Sequence, residues 1–195
     1  MKNLTAREMV LCALFIALIT AGTFVRIPMG GDVFTLQFLF TLLAGLVLGP
    51  RIGTLAVGAY VLLGLVGAPV FASGGGPGYL LEPTFGYLLG FILQAYVCGK
   101  LSRRLRVPRI INFLGVNLIG MVIVYLIGVN WFYLVSNYVL EAPVAAWTVI
   151  VYSCVLQAPP DILLCVISAG LALRLHHAGI WLGQENNSNE RTART

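Results

Sequence analysis

KLSRRLRVPR, residues 100–109, separates two apolar blocks that cover about 84–101 and 110–129. Each block has the length of a helix that crosses the roughly 30 Å hydrocarbon core of a bilayer, since a helix rises about 1.5 Å per residue. Cationic residues collect in the cytoplasmic loops between such spans. The basic stretch therefore places the end of one span and the start of the next on the cytoplasmic side.

The remaining cations extend this pattern along the chain. With the N-terminus in the cytoplasm, eleven of the twelve Lys and Arg residues lie inside, and only Arg26 lies outside. The pattern predicts an all-α fold, an integral membrane bundle of six transmembrane helices with both termini in the cytoplasm. The predicted spans cover about 6–25, 33–49, 52–67, 84–101, 110–129 and 161–177. Thr5 is predicted to cap the first span, and the fifth apolar block continues through residues 131–133.

Composition supports this class. The chain is 59% hydrophobic and 10% charged, whereas a soluble domain is about a quarter charged. The net charge of +5 lies in short loops, so it indicates topology rather than a nucleic-acid surface. The four cysteines form no CxxC pair, and we expect packed free thiols and no metal site. We predict one substrate-binding domain over 1–183, a disordered polar tail over 184–195, and a multi-pass location in the cell membrane.

The last apolar stretch, 143–177, is too long for one crossing, and Pro159 and Pro160 divide it. The sequence predicts a short helix at about 143–157 near the outer surface, followed by the final span. Asp161 falls in the first turn of that span, where the helix dipole favours a carboxylate. One interpretation is a plain cap; the other is a ligand site, because an acid inside a membrane bundle is usually functional. A carboxylate there accepts N–H donors from a urea or amide group.

The second outer loop, residues 72–83, contains three consecutive glycines, among them Gly75. Glycine lets the backbone take positive φ and approach a ligand closely. The loop is therefore either a hinged lid or a flexible hairpin without contacts. Tyr79 has an aromatic ring suited to covering a ligand, and Thr84 is expected to cap the fourth span.

Two polar residues near the first outer loop admit two interpretations each. Arg26 either anchors the chain at the membrane interface or pairs with an anionic ligand group, and Asp32 is a competing partner. Gln37 needs a partner in apolar surroundings, so it either bonds another helix or faces the ligand.

Ala13, Ala17 and Ala21 form a stripe of small residues on the first span. Such stripes let helix backbones approach closely within lipid. The stripe packs inside the bundle, mediates self-association, or docks against another membrane subunit.

Several segments together resemble the biotin-specific substrate-capture (S) components of energy-coupling factor (ECF) transporters, the BioY family. The resemblance covers about residues 5–177. It is carried by VFTLQ (33–37), LAG (43–45), LGPR (48–51), GAPVFA (67–72) with the glycine run, PT (83–84), GYLLGF (86–91) and PD (160–161).

The resemblance implies a six-helix bundle that binds biotin near its outer face, with no further cofactor and no catalysis. It also implies that the alanine stripe meets a coupling membrane subunit, which recruits ATPase subunits. In the family pattern a Lys follows the Asp of the last span by three residues, but Leu164 stands at that position here, and Glu82 and Phe85 replace two glycines of the family's loop motif. The expected ligand-binding residues are Asp161, Tyr79, Arg26, Gln37, Ser73, Gly75, Thr84 and Tyr87.

The leading hypothesis is thus high-affinity biotin capture and uptake with partner subunits. A self-sufficient biotin transporter without ATPase partners is the first alternative, since the alanine stripe also suits self-association. An integral-membrane enzyme is the second, although the sequence shows no nucleophile–base pair in a recognised motif.

Overall fold

The computed structural model describes residues 4–29, 32–105, 107–140 and 144–179. Its elements are α1 (Ala6–Phe24), β1 (Arg26–Met29), β2 (Asp32–Thr35), α2 (Gln37–Leu43) with a π-helical turn (Ala44–Leu48), α3 (Gly49–Leu65), a 3-10 helix (Pro77–Leu81), α4 (Phe85–Ser102), α5 (Ile110–Tyr138), α6 (Ala146–Ile150) with a second π-helical turn (Val151–Leu156), and α7 (Ala158–His177). The predicted disordered tail and the cytoplasmic cations Lys2, Arg106, Arg191 and Arg194 lie outside the described residues.

The first span begins where the sequence predicts. The Thr5 backbone N–H donates to the Glu8 carboxylate at 2.8 Å, and the Glu8 N–H donates to the Thr5 hydroxyl at 3.3 Å. This reciprocal pair satisfies N–H groups that have no partner within the helix. The predicted Thr5 cap is therefore confirmed.

Five helical stretches of the described chain are long and apolar enough to cross a membrane, and one of them is 37–65. That stretch is not one helix, because Gly49 takes a φ of +83° and the chain turns back there. A Cβ on Gly53 would lie 2.5 Å from the Ala44 carbonyl oxygen, although nine residues of straight helix would separate these positions by about 13 Å. The stretch therefore supplies two antiparallel helices, and the predicted helical membrane bundle of six segments is confirmed.

The cytoplasmic turn between α2 and α3 packs tightly on the end of α4. Gly99 lies so close to Pro50 that a Cβ would be 2.5 Å from its nitrogen. The Arg103 guanidinium donates to the Val47 carbonyl at 3.3 Å, at the C-terminal end of a helix, where the dipole favours a cation. Burial lowers the pKa of Arg103 to about 10, so the group remains charged at neutral pH.

The outer half differs from the prediction in three respects. The first outer loop is an antiparallel ribbon in which Arg26 pairs with Thr35. The fifth span continues to Tyr138, and its 29 residues make it about 43 Å long, more than the hydrocarbon core requires. The last span begins at Ala158 rather than 161, because prolines fit the first helical turn, where their missing N–H needs no partner.

Candidate functional site

A cavity of about 90 Å³ lies at the outer end of the bundle, among α2, α4, α5 and the start of α7. One water needs on the order of 10–15 Å³, so there is room for a small molecule. Six of the eight predicted ligand-binding residues line it: Asp161, Tyr79, Gln37, Ser73, Thr84 and Tyr87. Contact of these residues with a ligand stays a prediction.

Asp161 is the acid of this cavity and is 8% exposed. Its position follows from the proline pair, which starts α7 and leaves the acid in the first turn. The Tyr125 hydroxyl of α5 donates to its Oδ2 at 2.6 Å, the length of a charge-assisted hydrogen bond. Asp161 thus faces a partly open cavity within the bundle rather than lipid.

Gln37 begins α2 and bonds another helix, as one interpretation of the sequence predicts. Its amide donates to the Tyr60 hydroxyl of α3 at 3.1 Å, so it bonds another helix, and it also lines the cavity. Tyr60 donates in turn to the Val70 carbonyl at 2.8 Å and lies 3.0 Å from the Thr23 hydroxyl. These bonds join the wall of the cavity to the chain that leads into the glycine loop, residues 72–83.

A run of aromatic rings holds the glycine loop against the bundle. Phe71 packs on Tyr60 at 5.6 Å between ring centroids and on Tyr79 at 4.5 Å. Tyr79 then contacts Phe85 at 6.5 Å, and Phe85 contacts Trp131 at 5.7 Å. The loop is therefore a packed cover over the cavity, not a hairpin without contacts.

Two predicted residues do not line the cavity. Arg26 is exposed, and its guanidinium donates to the carbonyl of Ala72, which does line it. Gly75 packs against the last turn of α3 and the chain that follows it, since a Cβ there would lie 2.2 Å from the Ala68 carbonyl oxygen and 3.0 Å from that of Gly64. Arg26 therefore links the ribbon to the glycine loop at the rim of the cavity. The side chain of Asp32, its expected competing partner, is not among those that the structure describes. Thr84 occupies the N-cap position of α4 but makes no side-chain capping bond.

The sequence reasoning missed further residues of the site. Phe34 and Thr35 line the cavity and belong to the VFTLQ motif, yet they were not predicted as ligand contacts. Gln157 also lines it, one turn before Asp161, and its carbonyl accepts the Asp161 N–H at 3.2 Å. The sequence carried one signal for Tyr125, since it is a tyrosine in the middle of an apolar span. The hydroxyl of a buried tyrosine usually needs a hydrogen-bond partner. The remaining unpredicted lining residues are Phe38, Ala72, Leu88, Phe91, Val124.

The fold and the cavity define the class: a multi-pass membrane protein with a chamber for a small ligand at its outer end. The BioY family model matches residues 1–180, and the chain belongs to the BioY family.

Relatives agree with this assignment over most of their length. The probable biotin transporter BioY of Lysinibacillus sphaericus is 40% identical over 177 residues, 90% of each chain. The biotin transporter BioY of Rhodobacter capsulatus is 40% identical over 178 residues, 86% of this chain and 92% of the relative. A crystal structure of the S-component for biotin from an ECF-type ABC transporter superposes with a TM-score of 0.70 at 26% identity, covering 90% of this chain and 95% of that one.

Proposed function

We propose that this protein binds biotin at the outer face of the membrane and imports it as the S component of an ECF-type transporter. One observation carries the proposal: a buried carboxylate, Asp161, lines a cavity beneath the glycine loop of a BioY-family bundle. The similarity to biotin transporters and to a biotin S-component structure supports the identity of the ligand.

The lining of the cavity suits the two ends of biotin's ring system. The cyclic urea offers two N–H donors, for which Asp161 is a charge-assisted acceptor. The sulfur-containing ring is apolar, and Phe34, Phe38 and Phe91 supply an apolar wall. A mostly apolar chamber with a few polar groups is the usual form of a small-molecule site.

We propose that the ligand's carboxylate lies at the rim of the cavity. None of the described residues that line the cavity is Lys, Arg or His, and Leu164, at the position of the family's Lys, is buried in the apolar core at 4% exposure. Arg26 lies at the rim through its bond to Ala72. We therefore assign the carboxylate contact to Arg26.

The outer surface of α1 supports a proposal about the partner subunits. Ala13, Ala17 and Ala21 are all exposed, whereas Phe15 and Ile19 on the same helix are buried. The alanine stripe thus does not pack inside the described bundle. We propose that it docks against a coupling membrane subunit that works with ATPase subunits, because small residues permit close helix contact in lipid.

Binding of labelled biotin to the purified full chain in lipid nanodiscs tests the ligand. We expect saturable binding that Asp161→Ala weakens on the order of 100-fold, since truncating a buried charged partner costs about 2–5 kcal/mol. Glu82→Gln is the matched control, because Glu82 is an exposed acid of the glycine loop that does not line the cavity. No binding by the wild type, or equal losses in both variants, contradicts the proposal.

A further inference from the structure

We infer that Tyr125 is a positioning residue for the ligand site: its hydroxyl holds the Asp161 carboxylate in the orientation that receives the ligand. The inference rests on the proposed function for the ligand's identity. The contact itself is a hydrogen bond of 2.6 Å between the Tyr125 hydroxyl and Asp161 Oδ2, joining α5 to the first turn of α7.

Tyr125 does not line the ligand cavity, so it acts through Asp161 rather than on the ligand. Its neighbour Val124 faces that cavity and is 2% exposed. Tyr125 instead lines a separate apolar groove of about 500 Å³ between α5 and α6. The residue thus extends from the groove on one side to the acid on the other.

The phenol lies where α5 faces α6 across this groove. Val149 of α6 lines the same groove and is 4% exposed, so α6 packs against α5 there. Tyr125 is half-buried, and its hydrogen bond to Asp161 ties the phenol and the carboxylate to each other.

The hydroxyl also has an electrostatic role. An O–H donor stabilises a carboxylate that has lost most of its contact with water, and hydrogen bonds to charged groups are worth more than neutral ones. Without the hydroxyl, Asp161 loses this donor, and we expect its orientation toward the cavity to change. The expected effect of Tyr125→Phe is a roughly 10-fold weaker affinity for biotin, corresponding to one charge-assisted bond.

A double-mutant cycle separates positioning from general structure. Tyr125→Phe is expected to weaken biotin binding about 10-fold in the wild-type background and less than about 2-fold in the Asp161→Asn background. Tyr133→Phe is the matched control, because Tyr133 lines the same groove on α5 but does not line the ligand cavity. An unchanged or tighter affinity in Tyr125→Phe overturns the inference, as does a full loss in the Asp161→Asn background.

Infrared spectroscopy provides a readout that needs no ligand. The chain has two aspartates, Asp32 and Asp161, so ¹³C-aspartate labelling of the Asp32→Asn variant isolates the Asp161 carboxylate band. Tyr125→Phe is expected to shift this band, and Tyr133→Phe is expected to leave it in place. A band that Tyr125→Phe does not move overturns the positioning role, whereas absence of biotin binding by the wild type, with the shift present, overturns only the proposed ligand.

Discussion

At the scale of single residues, the polar groups of the site are held by partners from distant parts of the chain. Gln37 bonds Tyr60, Arg26 bonds Ala72, and Asp161 bonds Tyr125. The bonds of Gln37 and Asp161 offset the cost of placing a polar group away from water, and all three bonds join different parts of the chain. The residues that recognise a ligand therefore also determine how the outer end of the bundle fits together.

Arg26→Gln tests the rim assignment. The variant is expected to bind biotin about 5-fold more weakly, because it removes the charge proposed to pair with the ligand's carboxylate at a partly solvated site. Biotin amide, in which that carboxylate is neutral, is the control ligand, and Arg26→Gln is expected to leave its affinity unchanged. Titration calorimetry with both ligands makes the comparison. Equal losses for both would show that Arg26 acts only by holding the glycine loop.

Asp161 and Gln37 were predictable because each is a polar residue in an apolar segment, and the cost of burying such a group implies a partner or a ligand. Tyr125 and Gln157 were not predicted as site residues, since their roles depend on which face of α5 meets the start of α7. The ligand contact of Arg26 stays a prediction, and its bond to the Ala72 carbonyl was not predicted. A pairing across 46 residues leaves no pattern in the sequence.

At the scale of elements, close approach between helix backbones shapes the bundle. Gly53 of α3 lies directly on the Ala44 carbonyl, whereas a Cβ on Gly58, five residues further along the same helix, would have no neighbouring atom within 4 Å. The close packing beside the reversal at Gly49 therefore requires a glycine at position 53 but not at position 58. This contrast provides a matched pair for a stability measurement.

Gly53→Ala is expected to lower the free energy of unfolding by about 1–3 kcal/mol, because the added methyl overpacks the contact with the backbone that follows α2. Gly58→Ala is expected to leave it unchanged or raise it by up to about 1 kcal/mol, since alanine favours the helix and meets open space. Thermal unfolding of both variants in one detergent measures the difference. A comparable loss of stability in both variants would contradict the role of close packing at Gly53.

The helical spans were predictable because apolar blocks of membrane length and their basic flanks are strong, local signals. The outer ends of the spans were harder to predict from the sequence. Residues 26–29 and 32–35 form a ribbon through backbone pairing between two segments, and α5 extends past the hydrocarbon thickness to Tyr138. These features depend on contacts between elements rather than on local composition.

At the scale of the whole molecule, three surfaces lie apart from one another: the outer end, the opposite end and the side of α1. The outer end holds the cavity, and the described cations other than Arg26 lie toward the opposite end or its flanking turns, as in Arg51, Lys100 and Arg174. The third surface is the side of α1, where the alanine stripe is exposed. A ligand site and a docking surface that do not overlap can be tested independently.

Ala17→Trp makes that test. The bulky side chain is expected to abolish copurification with ATPase subunits and to lower ATP-dependent biotin uptake roughly 10-fold or more, because close helix contact at the stripe becomes impossible. Biotin affinity of the purified chain is expected to stay unchanged, since Ala17 does not line the cavity. Gly115→Trp is the control, as Gly115 is an exposed small residue of α5 with open space around it. Full uptake by Ala17→Trp, or uptake by the wild type in cells without ATPase subunits, would contradict docking through α1 and favour a transporter that works alone.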